Sequence, residues 1–203
     1  IGIYVLNSLA CQVDKNQKLR LGELQVIEKM IDLVERKIAN RICDDVLEVA
    51  WSAMWNVTDE TPSNCEIFLN KNGIRFFLKC LETFPDREEL IRNMMGLLGN
   101  VSEVKSLRYR LMNSKLIKVF SDMLDSRTEG IEVSYNAAGV LAHIASDGPE
   151  AWTVSSPSRQ QVLDRMTNAI LSWNVNTERN INYRSFEPIL QLALVQDTVQ
   201  CQL

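Results

Sequence analysis

Apolar residues recur at spacings of three and four along most of the chain, as in Ile74, Phe77, Leu78 and Leu81, or Leu116, Val119, Phe120 and Met123. That is the period of one face of an α-helix. Strand-like alternation is almost absent, and the chain carries only 8 glycines and 5 prolines. The pattern breaks at Thr61-Pro62, Asn72-Gly73, Phe84-Pro85-Asp86, Glu129-Gly130, Gly148-Pro149 and Ser156-Pro157, where residues that stop helices or favour turns cluster. The spacing therefore predicts helices over Pro62–Asn70, Gly73–Phe84, Asp86–Val104, Ser106–Ser114, Lys115–Leu124, Gly130–Ser146 and Gln160–Trp173. After Trp173 a polar, loop-like stretch leads to a final segment, FEPILQLALVQDTVQCQL, that begins helical and then loses the pattern.

Four segments resemble one another: VLNSLACQVD from Val5, SAMWNVTDET from Ser52, GLLGNVSEVK from Gly96 and GVLAHIASDG from Gly139. Aligned without gaps, the last three place Asn56, Asn100 and His143 in one column, separated by 44 and 43 residues, with Ser8 of the first segment 48 residues before Asn56. A helical period of ~40–47 is the armadillo/HEAT range and excludes the shorter ankyrin and TPR periods. Each period divides into two outer helices and one longer inner helix, and three helices per repeat favour armadillo. The expected fold is all-α: an armadillo-like right-handed superhelical solenoid, one domain over residues 1–203 with about four repeats, irregular from about residue 150. In such arrays the third helices line a groove, because stacked units bury a continuous core and leave one helix layer on the inside.

Composition narrows the function. The chain has 203 residues, 46% hydrophobic and 24% charged, with a formal net charge of −4, values ordinary for a globular domain. No run of 18 apolar residues occurs, so no membrane span is expected. The acidic balance, without a Lys/Arg block, argues against nucleic acid as a partner. The cysteines, Cys11, Cys43, Cys65, Cys80 and Cys201, are scattered, and His143 is the single histidine, so neither a zinc cluster nor any other cofactor is implied. A reducing intracellular compartment is expected, the cytoplasm with the nucleus as the other candidate. The sequons Asn56-Val57-Thr58 and Asn100-Val101-Ser102 read as coincidental, since both fall inside helical patterns. The start at Ile1 fits a fragment. No phosphate loop, catalytic triad or metal spacing is present, and an enzyme is not expected.

The chemistry lies in the column. Residues three apart share a helix face, which pairs Asn56 with Asp59 and Asn100 with Glu103. Two carboxylates and two amides on adjacent inner helices suit a cation bearing several N–H groups, and a free α-amino group has three donors and a positive charge. Trp51 and Trp55 sit one turn apart nearby, while Gly96 and Gly99 remove side chains from the facing helix. Such walls admit a small first residue and exclude a large one. Trp51, beside Val49 and Ala50, reads as core more than groove. The third inner helix adds Ser134, Asn136, Gly139 and His143, with Ser146 where a carboxylate would stand. His143 reads as a structural hydrogen-bonding residue before a catalytic one.

The stretches WNVTDETPSNCEIFLN (Trp55–Asn70), GLLGNVSEVKSLR (Gly96–Arg108), GIEVSYNAAGVLAHI (Gly130–Ile144) and NINYRSFEP (Asn180–Pro188) resemble the armadillo-like C-terminal region of the Zyg-eleven/Zer-one family, most closely its Zyg-eleven branch. The resemblance covers roughly residues 1–190. It implies a substrate receptor of cullin-2 RING ubiquitin ligases that recognises N-terminal glycine degrons. It further implies that Asp59 and Glu103 pair with the ammonium, that Asn56 and Asn100 bind the first peptide units, and that Trp55 walls off the space beside the glycine Cα. Asn136 and His143 are expected to contact later degron positions. The family's leucine-rich repeats and its cullin–elongin-binding part are expected upstream of Ile1, and further repeats follow NYRSFEP in the family where this chain turns into LALVQDTVQCQL. The alternative is an armadillo scaffold that binds an internal peptide segment without reading an N-terminus. A form that has lost binding altogether is a third.

Overall fold

The computed structural model describes residues 1–126 and 131–173. These are helical throughout, with no strand among the described residues. The helices are α1 (Gly2–Gln12), α2 (Lys15–Glu23), α3 (Val26–Ala39), α4 (Asp45–Thr58), α5 (Pro62–Asn70), α6 (Gly73–Thr83), α7 (Glu88–Glu103), α8 (Ser114–Met123), α9 (Glu132–Ala145) and α10 (Arg159–Ser172), with 3-10 turns at Lys105–Leu111 and Pro149–Ala151. Caps set several starts. Asp14, Asp44 and Asn113 accept from the backbone N–H of Gln17, Leu47 and Leu116 at 2.9, 3.1 and 3.0 Å, and Ser158 forms a reciprocal box with Gln161. Pro62 opens α5, where its missing N–H costs nothing.

The expected helices over Pro62–Asn70, Gly73–Phe84, Lys115–Leu124 and Gln160–Trp173 are present to within a residue at each end. Ser106–Ser114 is not an α-helix. The backbone is extended at Val104 and again at Asn113, and the short stretch between them closes as a 3-10 turn held by buried Leu107 and Leu111. Two apolar residues four apart imitate a helix face, but a segment this short gains too few α-type bonds to repay nucleation. Helix α7 starts at Glu88 rather than Asp86, because Pro85 and Asp86 form a turn and Arg87 is its non-helical cap residue, with its guanidinium on the Cys43 carbonyl at 2.8 Å. The break at Glu129-Gly130 and the chain beyond Trp173, with its polar stretch, its NINYRSFEP motif and Cys201, lie outside the described residues.

The chain divides into two compact units, Ile1–Val104 and Lys105–Leu203. In the first, α4 is central, packed against α1, α3 and α7. Its core holds Leu47, Trp51, Met54, Phe68, Phe77, Leu90, Met94, Leu97 and Leu98, each fully buried, and Trp51 meets Phe68 edge-on with ring centroids 6.1 Å apart. In the second, α9 is apolar nearly all round and packs against α8, α10 and the Lys105–Leu111 turn, the pattern of a central buried helix. Ser134 of α9 donates to the Leu124 carbonyl at 2.6 Å and accepts from the Trp173 indole at 3.0 Å.

Candidate functional site

Two helices of the first unit end in acid. Asp59 is the residue that closes α4, Glu103 is the last residue of α7, and neither helix has a base in its final turn. A helix C-terminus carries about half a negative charge and is stabilised by cations. Both acids therefore stand where the helix itself disfavours them, and local rules are broken this way mainly where a site needs the charge. Both acids act on one buried thiol of the neighbouring helix. The Cys65 thiol of α5, which donates to the Thr58 carbonyl at 3.5 Å, is pushed up to about 12 by burial first, and the negative charges of Glu103 and Asp59 push it the same way. One buried sulfur thus feels both acids.

The amides are arranged differently from a free row. Asn100 turns its Nδ2 back onto α4, donating to the Trp55 carbonyl at 2.9 Å and to Thr58 Oγ1 at 3.1 Å. It satisfies one of the carbonyls that a helix C-terminus leaves unpaired. Thr61 and Asn64 do the same for the Val57 carbonyl, at 2.6 and 2.9 Å. Asn56 donates to Asn7 Oδ1 of α1 at 2.9 Å, so the polar row runs across α1, α4 and α7. The half-buried Trp55 ring lies directly on Gly96, where an added Cβ would collide with its fused-ring carbons. Gly99 faces open space. Trp51 is core, as the apolar residues around it indicated.

Lys18 of α2 joins the group. Its Nζ stands 2.8 Å from Asp59 Oδ2, with the lysine side chain 12% exposed and the aspartate 45%. Asp59 Oδ1 accepts no hydrogen bond among the described residues. Asn64, buried at 1%, donates to the Lys18 carbonyl at 2.9 Å and so ties α2 to the end of α4.

Asn136 and His143 belong to the second unit. Asn136 is half-buried on α9. His143 Nδ1 faces the Arg108 guanidinium at 3.4 Å. A guanidinium only donates, so Nδ1 is the acceptor and the imidazole proton sits on Nε2, which is buried without a partner among the described residues. Burial, and then the Arg108 charge, pull the imidazole down to about 4, against a smaller opposing effect of Asp147. Arg108 itself pairs with Asp147 at 2.8 Å. Among the described residues no cluster of His, Cys, Asp and Glu could hold a metal, and no helix is long and apolar enough to cross a membrane. Cys11, Cys43, Cys65 and Cys80 are free thiols.

Three contributors were not foreseen from the sequence. Asn7 lies two residues before Leu9, the gapless match to Asn56, so the column did not point to it. Asn64 follows Pro62 in a first turn, where an amide commonly reads as a solvated cap. Lys18 sits in a mostly polar helix and pairs across 41 residues, a contact no periodicity encodes.

The described residues make this an all-α protein. It belongs to the family described as Protein zer-1 homolog-like, C-terminal domain, whose model matches residues 1–203. Its relatives include Protein zer-1 homolog of Drosophila melanogaster, 56% identical over 100% of this chain and 29% of the relative. Protein zer-1 homolog of Homo sapiens is 56% identical over 95% of this chain and 25% of its own length. Zyg eleven-related protein 1 of Caenorhabditis elegans is 51% identical over 95% of this chain and 22% of its own length. The chain therefore spans about a quarter of the relatives it matches.

Proposed function

We propose that the first unit binds the free amino group of a peptide or protein N-terminus, with glycine as the preferred first residue. In the full-length protein this unit serves a cullin-2 RING ubiquitin ligase as its substrate-selecting part, marking such proteins for degradation. The chain supplies recognition and no catalysis; partners carry ubiquitin transfer, and elongin and cullin-2 bind elsewhere in the receptor.

The observation that carries this reading is the pair of acids at the C-termini of α4 and α7, Asp59 and Glu103, on two helices that Asn100 ties together at that end. The helix ends add their own negative potential to the carboxylates. An α-ammonium is compact enough to donate to both, with Asp59 Oδ1 ready to accept. The Trp55 ring seated on Gly96 supplies a flat wall beside the amine. A wall of that kind favours a first residue without a side chain. The Asn56 and Asn100 carbonyl oxygens supply acceptors for the following peptide N–H, while their nitrogens keep the helices in place.

The test is substitution of each acid. Charge-assisted hydrogen bonds contribute ~1.5–3 kcal/mol each. Asp59→Ala and Glu103→Ala are expected to weaken binding of a glycine-initiated peptide at least tenfold while leaving thermal unfolding close to that of the parent chain. Unchanged affinity in both variants removes the site.

A further inference from the structure

Lys18 presents at Asp59 the same chemical group that the proposed ligand would bring. Its position is built into the fold. The side chain is 12% exposed and its ammonium is 2.8 Å from Asp59 Oδ2. Its own carbonyl is held at 2.9 Å by Asn64, which also donates to the Val57 carbonyl on α4. One turn along α2, Gly22 leaves the space that the Asn64 carboxamide fills, and a Cβ there would overlap it. Glycine, amide and lysine together lock α2 against the end of α4 and hold the ammonium where it is. A freely swinging surface lysine would have none of these restraints.

We propose that Lys18 is a fixed counter-charge of the amine-binding site, one that limits its affinity and sets how much positive charge it accepts. This rests on the amine-binding reading above and adds a specificity-determining residue to it. Lys18 takes Oδ2 of Asp59 and leaves Oδ1 to the incoming ammonium. Two cations then share one carboxylate, and their mutual repulsion at a few ångströms opposes binding. The counter-charge also keeps the site from attracting any cation indiscriminately, because part of the negative potential is already neutralised. A terminal ammonium gains from Glu103 and, through the peptide N–H behind it, from the asparagine acceptors; a simple cation has no peptide N–H to add.

The experiment is titration of the chain and of its Lys18→Met and Lys18→Gln variants with a short peptide beginning in free glycine, at two salt concentrations. Methionine keeps the aliphatic stem and removes the charge. Both neutral variants are expected to bind at least threefold more tightly, with a steeper loss of affinity as salt rises, since the site then presents one more uncompensated negative charge. The Lys18→Arg variant, which keeps the charge, is expected to bind like the parent. Unchanged or weaker binding by neutral variants that melt like the parent overturns the role of Lys18 and leaves the amine reading standing. Unfolding of both neutral variants while Lys18→Arg folds makes the lysine a structural requirement, and overturns it too. Absence of binding by the parent and every variant overturns both readings.

Discussion

At the scale of single residues, this protein spends helix stability on charge. Asp59 and Glu103 sit at helix ends that would be better served by lysine, and the surrounding side chains compensate by closing the exposed carbonyls of α4. The pairs Asn56–Asp59 and Asn100–Glu103 were legible as candidates because a repeat of two residue types at matched columns is rare by chance. The internal bonds that the asparagines make were not legible. Their nitrogens bond Asn7 and Trp55, and helix-to-helix bonds of this kind depend on packing that no spacing specifies. His143 offers a residue-level prediction independent of ligand. The unfolded imidazole takes up its proton near 6.5 and the folded one near 4. Between those values the unfolded state binds more protons, so the contribution of His143 to stability is whole above 6.5 and is lost as the pH falls toward 4. Thermal melts from pH 7 to 4.5 are expected to fall more steeply for the parent than for His143→Gln; equal slopes would mean that burial and Arg108 do not hold the ring neutral.

Elements tell a second story, in which one close approach fixes the site. Helices α4 and α7 come together with the Trp55 ring on Gly96, and Asn100 of α7 bonds the last turn of α4. Gly96→Ala is expected to cost about 1–3 kcal/mol through overpacking and to weaken peptide binding as the indole is displaced. Gly99→Ala, in the same helix but facing open space, is expected to raise stability by about 0.5–1 kcal/mol, the ordinary gain for alanine over glycine in a helix. Urea titrations separate the two, and similar losses in both would contradict the geometry. Most helix limits were legible from the breaks, because Thr61-Pro62, Asn72-Gly73 and Ser156-Pro157 act locally. The segment at 105–111 was not. Leu107 and Leu111 carry a helical spacing, yet extended backbone at Val104 and Asn113 leaves room only for a 3-10 turn.

For the molecule as a whole, family and fold class could be read from the residues, while the partition into two compact units could not. Repeat patterns record what each helix faces but say little of how firmly one group of helices is joined to the next. The chain covers about a quarter of its relatives' length, so the proposed ligase role belongs to the full-length protein, and amine recognition is the part this chain can be asked to perform alone. The central claim is that the site reads a free N-terminal amine on a small residue. Fluorescence-polarisation titration of the chain with three short peptides tests it most directly, one starting with free glycine, one with N-acetylglycine and one with leucine. Binding of the first alone is the predicted result. Equal binding of all three would contradict it and mark a surface that reads internal sequence instead.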